Sequence, residues 1–403
     1  TQGVSSAASD VYKRQLEEKD EEVWNVKGLH DIKPKLERQH KQKAEDVLGY
    51  GYEQFLQPRF WLGEKTGDRP LQAIDMQLAA STMGDFKKGW EIAQQLEKER
   101  PWDNRAAYNR GWYEMQHGNL LKGAKLLDRG RIEGVFGNSK PNVPTPIWDG
   151  KSKGIVMLYL EGGLGDQLHG VRHVKDITDR GCRAIVCCSG QLAGLFINMP
   201  GVDAVVQHEA IFGVYHDFWL PSMSAVVPLE YEYDNISGKP YINKPAVKPH
   251  KGMRIGLRWQ GNPRFEHEQH RLFPPELMFN AVKDYDAEFI SLQRDEGAQH
   301  KPEWVKEVPL NHWGETQEAI ASCDLVITSC TSVAHLSAAM GVPTWIVTPI
   351  MPYYLWALPG NKTVWYDSVR LFRQTQFGDW TDAFNEVKSA LFKEQSNVKQ
   401  IGA

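Results

Sequence analysis

The sequence predicts an α/β protein with two Rossmann-like halves in tandem, preceded by an α-helical repeat module. Three observations predict it. From Gly154 onward, short apolar, β-branched runs alternate with helix-compatible segments, as in parallel sheets covered by helices. The alternation lapses between Ala210 and Lys251 and restarts at Met253, so there are two series rather than one. Upstream, Met83-Gly84-Asp85-Phe86 is echoed by His117-Gly118-Asn119-Leu120, and Gly89 by Gly123, both at 34 residues (118 − 84 and 123 − 89). That is the period of a tetratricopeptide repeat.

Composition narrows the class. The 403 residues are 41% hydrophobic and 24% charged, ordinary for a soluble globular protein of two or three domains. No apolar run is long enough to span a bilayer, and no signal-peptide pattern opens the chain. The five cysteines form no CxxC pair and no zinc spacing, and their odd count without a secretory signal argues for a reducing, cytosolic setting. A net charge of −4 provides no global field for nucleic acid, although a local basic cleft is compatible with it. The 14 tryptophans are a reservoir of stacking surface for sugars or bases, but core packing accounts for most tryptophans in any protein.

In chain order, residues 1–15 are small, polar and pattern-free and are expected to be a disordered tail or a scar. Residues 16–139 form the helical module, with charge-dense surface helices over Leu16–Val47 and two tetratricopeptide-like helix pairs over Leu71–Gly137. In the second pair, Ala107–Gly130, Gly111 marks a close helix crossing and Gly118 the turn. Two pairs are fewer than usually stand alone, so they should pack on a neighbour, as a buttress or as a surface for a partner. Residues 140–153, rich in Pro, Gly, Asn and Lys, read as a linker.

The first Rossmann-like half (154–250) starts with strand Gly154–Leu160 and helix Gln167–Asp179. Strand Arg183–Cys188, helix Leu192–Asn198 and strand Val202–Val206 follow. The second half (251–403) has strand Met253–Trp259, helix Pro275–Val282, strand Glu288–Gln293, a short element at Val305–Leu310 and helix Thr316–Ser322. Next comes CDLVITSCTSVAHLSAAMGVPTWIV, a buried strand, a small polar turn, a helix from Val333, a Gly341 stop and another strand. A short strand and a helix from about Thr381 close the chain.

Chemistry gathers where strands end. Gly162-Gly163-Leu164-Gly165-Asp166 follows the first strand. It is neither the dinucleotide fingerprint nor a P-loop, and its glycines let a ligand approach the backbone. Asp166 at the helix N-terminus fits a general base that takes a proton from an acceptor hydroxyl. It also fits an ordinary helix cap, worth about 0.5–2 kcal/mol. His169, one turn on, either orients an acceptor or covers the surface. In the second half, Cys330-Thr331-Ser332-Val333 opens a helix after a parallel strand, an anion site by dipole and free N–H groups. Arg258, Gln260, Asn262 and Arg264, with His267, His270 and Arg271 close behind, form a loop able to supply cations to phosphate. Gln293 ends a strand at the same edge, where it could read a base or hydroxyl; the histidines have no metal-ligand spacing.

These pieces resemble glycosyltransferases of the GT-B fold, in the heptosyltransferase-like family (glycosyltransferase family 9-like). They resemble more closely bacterial proteins that fuse tetratricopeptide repeats to such a domain. The matching segments are EGGLGDQLHGVRHV, GVDAVV, RIGLRWQGNPRF, SLQ, CDLVITSCTSVAHLSAAMGVPTWIV and WYDSVRLFRQTQFGDW, in order over about Lys153–Trp380. The resemblance implies an inverting, metal-independent transfer from a nucleotide-diphospho-sugar, a UDP-sugar first, to an acceptor hydroxyl, with no cofactor. It implies Asp166 as base and Thr331, Ser332 and the adjoining backbone, with Val333 and His335, as the donor phosphate site. Relatives usually carry Asp where this chain has Cys330; a buried thiol is the plain expectation there. Tyr353, Trp356 and Trp365 are expected to shape the donor pocket. The acceptor is a glycan, a protein or a modified DNA base. The other readings are a phage-type transferase acting on hydroxymethylated DNA bases and a non-catalytic repeat scaffold with a degenerate transferase domain.

Overall fold

The computed structural model describes residues 80, 84–132, 134, 136–138, 141, 143–262 and 268–401. The tail, the first surface helices and the first helix of the leading repeat lie outside the described residues. What remains of the module is three helices, α1 (Phe86–Glu99), α2 (Asn104–Gln116) and α3 (Leu120–Leu127). Asp85 and Asp103 cap the first two by accepting from Lys88 N at 3.2 Å and Ala106 N at 3.0 Å. The echoed glycines share one backbone conformation: φ is +82° at Gly84 and +85° at Gly118, immediately before the N-caps of α1 and α3. α2 and α3 pack at the predicted crossing. A Cβ on Gly111 would stand 2.8 Å from the Gly123 carbonyl oxygen, and one on Gly123 equally close to that of Gly111.

Two all-parallel sheets follow. The first has the order β3-β2-β1-β4, from β1 (Ile155–Tyr159), β2 (Arg183–Cys188), β3 (Val202–Gln207) and β4 (Phe218–Pro221). The second has the order β6-β5-β7-β8-β9, from β5 (Arg254–Arg258), β6 (Glu288–Ser291), β7 (Leu325–Ser329), β8 (Thr344–Thr348) and β9 (Val369–Arg373). In each, the strand order reverses beside the first strand, between β1 and β4 and between β5 and β7. Such a reversal opens a crevice at the carboxyl ends of the strands. The loops holding Asp166, Gln260 and Thr331 leave from β1, β5 and β7 respectively, so all three lie at these switch points.

One apolar cluster runs from Leu120 and Leu127 of the module, through Leu158 and Leu168, to Val333, Trp356 and Trp365 of the second half. A second, with Trp259, Phe273, Trp380 and Phe384, fills the far face of the second sheet. Among the described residues no helix is long and apolar enough to cross a membrane.

The structure corrects several expectations. The segment at 140–153 is not a free linker. Trp148 is fully buried, its backbone N–H donates to Trp219 O at 2.9 Å, and Ile147 bridges to Trp219 beside β4. Strand β4, inside the stretch read as irregular, was hidden by its length of four residues and its terminal proline, which is tolerated because the strand is at an edge. The short element at Val305–Leu310 takes the form of a single bridge, Ile290 with Lys306. The helix expected from Gln167 starts at Leu164 and breaks into α4 (Leu164–Gly170) and α5 (His173–Asp179). Asp166 is therefore the third helical residue, and the N-cap is Gly163.

Candidate functional site

Gly162 takes φ +70°, and a Cβ there would meet the Asp166 carboxylate at 2.6 Å. Glycine is what lets the loop fold back over its own helix. Gly163 N donates to Asp166 Oδ2 at 2.8 Å, and the Tyr353 hydroxyl donates to Oδ1. Burial pushes the Asp166 carboxyl above the usual aspartate value. The hydrogen bonds from Tyr353 and Gly163, and the positive charge of Arg271, work against that rise. The result is a carboxylate more basic than a surface aspartate, sitting in the first turn of a helix that favours its ionised form.

Facing it is the N-terminus of the helix Ser332–Ala339, whose N-cap is Thr331. The two helices touch: a Cβ on Gly165 would lie 3.0 Å from His335 Cδ2 and 3.5 Å from Ser332 Cα. Thr331 makes no capping bond, and Thr331 Oγ1 and Ser329 Oγ have no hydrogen-bond partner among the described residues although both residues are buried (6% and 1% exposed). Buried orphan hydroxyls are costly unless something occupies the site, here beside the helix N–H groups that have no partner within the helix. Val333 is in the core, so it can reach a ligand only through its backbone.

Arg271 closes the third side. Its Nε donates to Glu268 Oε2 at 2.6 Å, its Nη1 donates to the Cys330 carbonyl, and Glu268 Oε1 accepts from Gly261 N at 2.6 Å. One carboxylate thus ties the loop after β5 to an arginine standing over the Cys330–Thr331 turn. Other expected donor contacts are already engaged within the protein. Arg258 is buried and donates to Leu292 O at 3.1 Å and Asp295 Oδ2 at 2.9 Å. Gln293 Oε1 accepts from Trp259 N at 3.2 Å and Gln260 N at 3.0 Å, and its Nε2 donates to Gln260 O and Asp295. Gln293 braces the loop carrying half-buried Gln260 and exposed Asn262. Arg264 and His267 lie outside the described residues.

His169 neither orients a cleft ligand nor covers the surface. It is buried between the two halves with Nδ1 3.1 Å from the Tyr366 hydroxyl and its ring 4.9 Å from that of Trp365. His335 approaches the same hydroxyl from the other half at 3.0 Å, stacks on Trp356 at 5.5 Å, and the Tyr241 hydroxyl lies 3.2 Å from that of Tyr366. Burial and the Arg172 charge hold His169 well below its ordinary pKa, and burial with Arg271 and Arg172 brings His335 down to about 3. Both are held neutral and link the two halves through the Tyr366 hydroxyl. Cys330 is also turned inward: Trp356 Nε1 donates to its sulfur at 2.9 Å and burial raises the thiol pKa, so it carries no thiolate. Trp356 and Trp365 are both fully buried in the same interface.

Sequence reasoning did not single out Glu161, Arg131, Arg172, Tyr241 or Tyr366. Only Glu161 left a local signal, an acidic residue directly after an apolar strand. Among the described residues no group of three or more His, Cys, Asp or Glu side chains is placed to hold a metal ion.

No family model and no curated protein matches the chain. Among solved structures it is similar to the iron-containing dodecameric glycosyltransferase TibC from enterotoxigenic E. coli, at 13% identity and TM-score 0.41 over 58% of this chain and 66% of that one. It is similar to TibC in complex with ADP-D-beta-D-heptose at 14% identity and TM-score 0.42, over 60% of this chain and 77% of that one. A mutant of the Thermobaculum terrenum O-GlcNAc transferase aligns at 13% identity and TM-score 0.31, over 91% of this chain and 83% of that one. Likenesses at these scores carry no conclusion about what this chain binds or transfers.

Proposed function

We propose that this chain is a glycosyltransferase of GT-B architecture that moves a sugar from a nucleotide-diphospho-sugar, a UDP-sugar first, to an acceptor hydroxyl. The three helices in front of it belong to a tetratricopeptide-like module. The observation that carries the reading is the pairing of two helix N-termini, one presenting the Asp166 carboxylate and the other the buried Thr331 hydroxyl, which, like that of Ser329 at the end of β7, has no hydrogen-bond partner among the described residues. In the proposed reaction the acceptor hydroxyl replaces that of Tyr353 as the partner of Asp166 Oδ1 and gives up its proton there. The acceptor oxygen attacks the anomeric carbon in line, with inversion. The bond from that carbon to the diphosphate breaks. The departing diphosphate is received by the N–H groups of Ser332 and Val333, the hydroxyl of Thr331 and the Arg271 guanidinium, which replace a metal as its counter-charge.

The test is transfer or hydrolysis of a panel of UDP-, ADP- and GDP-sugars by the wild type and Asp166→Asn. The variant is expected to lose turnover by at least about a hundredfold while a nucleotide-dependent thermal shift persists. Near-normal turnover in Asp166→Asn would overturn the base assignment. Neither turnover nor nucleotide-dependent shift in the wild type would point to a scaffold instead.

A further inference from the structure

We infer that Arg131 and Asn138, from the end of the helical module, are positioning residues for the loop that carries Asp166; this rests on Asp166 being the base. The side chain that receives them is Glu161, 1% exposed, at the exit of β1. Its carboxylate takes four bonds. Arg131 Nη1 donates to Oε1 at 2.6 Å and Nη2 to Oε2 at 2.7 Å; Asn138 N donates to Oε1 at 3.0 Å and Met223 N to Oε2 at 3.1 Å. Asn138 then reaches one residue further, its Oδ1 accepting from Gly162 N at 3.1 Å.

Gly162 and Gly163 are consecutive, and their N–H groups are held by different parts of the chain. The first is bound by the module through Asn138 and the second by the Asp166 carboxylate. The base and the module thus grip adjacent peptide units of one loop. The grip is built rather than incidental. Gly137 adopts φ +66°, and a Cβ there would collide with the Arg131 guanidinium, so the chain curls round its own arginine. The guanidinium also lies 5.3 Å from the Phe136 ring, and its Nε donates to Ser224 Oγ at 2.7 Å. A bidentate guanidinium–carboxylate pair fixes direction as well as distance, which a lysine cannot reproduce. Gly162 in the left-handed region leaves the loop free to swing unless its N–H is anchored, and a shift of about 1 Å at a reacting group is enough to cost transfer.

The test uses the full chain and the variants Asn138→Ala, Arg131→Lys and Arg131→Ala. Asn138→Ala removes one acceptor and leaves the buried ion pair intact, so it guards against simple unfolding. Two quantities are read: hydrogen exchange of the peptide spanning 160–167, and kcat and KM for the nucleotide-sugar hydrolysed fastest in the panel above. In Asn138→Ala the 160–167 amides are expected to exchange about tenfold faster, while those of 325–340 do not change. kcat is expected to fall by about threefold or more with KM unchanged, and by more in Arg131→Ala, with Arg131→Lys between. Unchanged exchange at 160–167 in both Asn138→Ala and Arg131→Lys overturns the inference, as does a rise in KM at constant kcat. Asp166→Asn is run alongside. If it keeps its turnover, the base reading fails by itself, while the exchange data still decide whether the module anchors the loop.

Discussion

Asp166 is a carboxylate pulled two ways. Burial raises its pKa, and the Tyr353 and Gly163 hydrogen bonds lower it again by favouring the charged form. The sign of one substitution follows. Tyr353→Phe removes a donor to the carboxylate, so the Asp166 pKa rises further and the base is ionised over a narrower pH range. The acid limb of the kcat/KM profile is expected to move to higher pH, because the base proposed above acts in its deprotonated form. A limb that stays in place, measured for the same nucleotide-sugar in both proteins, would show that this carboxyl does not control the rate. The sequence placed Asp166 at a helix start, because glycines followed by an apolar helix are a local pattern. It could not show the partner hydroxyl, which comes from 187 residues away.

Each half places its candidate site residues on the turn between a parallel strand and the next helix. These turns were legible because small residues after a β-branched run and before a helix have few other uses. Their outcome was mixed where length decides: the helix over Pro275–Val282 forms as expected, whereas helix Leu192–Asn198 shrinks to the single turn Ala193–Phe196. The helical pair α2–α3 was readable from Gly111 and Gly123, since only residues without a Cβ allow that approach. Gly123→Ala therefore places a methyl 2.8 Å from the Gly111 carbonyl oxygen and 2.6 Å from Met115 Cγ. A loss of about 1–3 kcal/mol in urea unfolding is expected from the overpacking. An unchanged or raised midpoint would mean that the helices can separate without cost.

At the scale of the whole molecule, three bodies meet around the two helix N-termini. The Tyr366 hydroxyl joins His169 of one half to His335 of the other. Trp112 of the module lies 6.0 Å from the ring of Tyr353, whose hydroxyl holds Asp166. The neutral histidines make the assembly acid-sensitive. Their folded pKa values lie below the ordinary 6.5, so the unfolded chain binds protons first as pH falls. The contribution of His335 is fully present above pH 6.5 and is lost progressively towards about pH 3, and that of His169 is lost in the same direction as pH falls. Each proton taken up only on unfolding adds about 1.4 kcal/mol per pH unit to the slope. Urea unfolding against pH is expected to show it, and His169→Asn should reduce the slope by about one proton. An undiminished slope in that variant would place the titration elsewhere.

The sequence by itself determined the order of strands and helices over both halves apart from β4, the 34-residue echo in the module, and the turns at Gly162–Asp166 and Cys330–Ser332. Each of these is written in spacing, periodicity or turn chemistry within about three dozen residues. The tertiary structure alone decided which groups meet. It turned Arg258, Gln293, His169 and Cys330 inward to partners of their own, and it brought Arg131 to Glu161 and Tyr353 to Asp166. Those pairings link chain segments tens to hundreds of residues apart. They are fixed by how the module and the two sheets pack, and no local pattern encodes them.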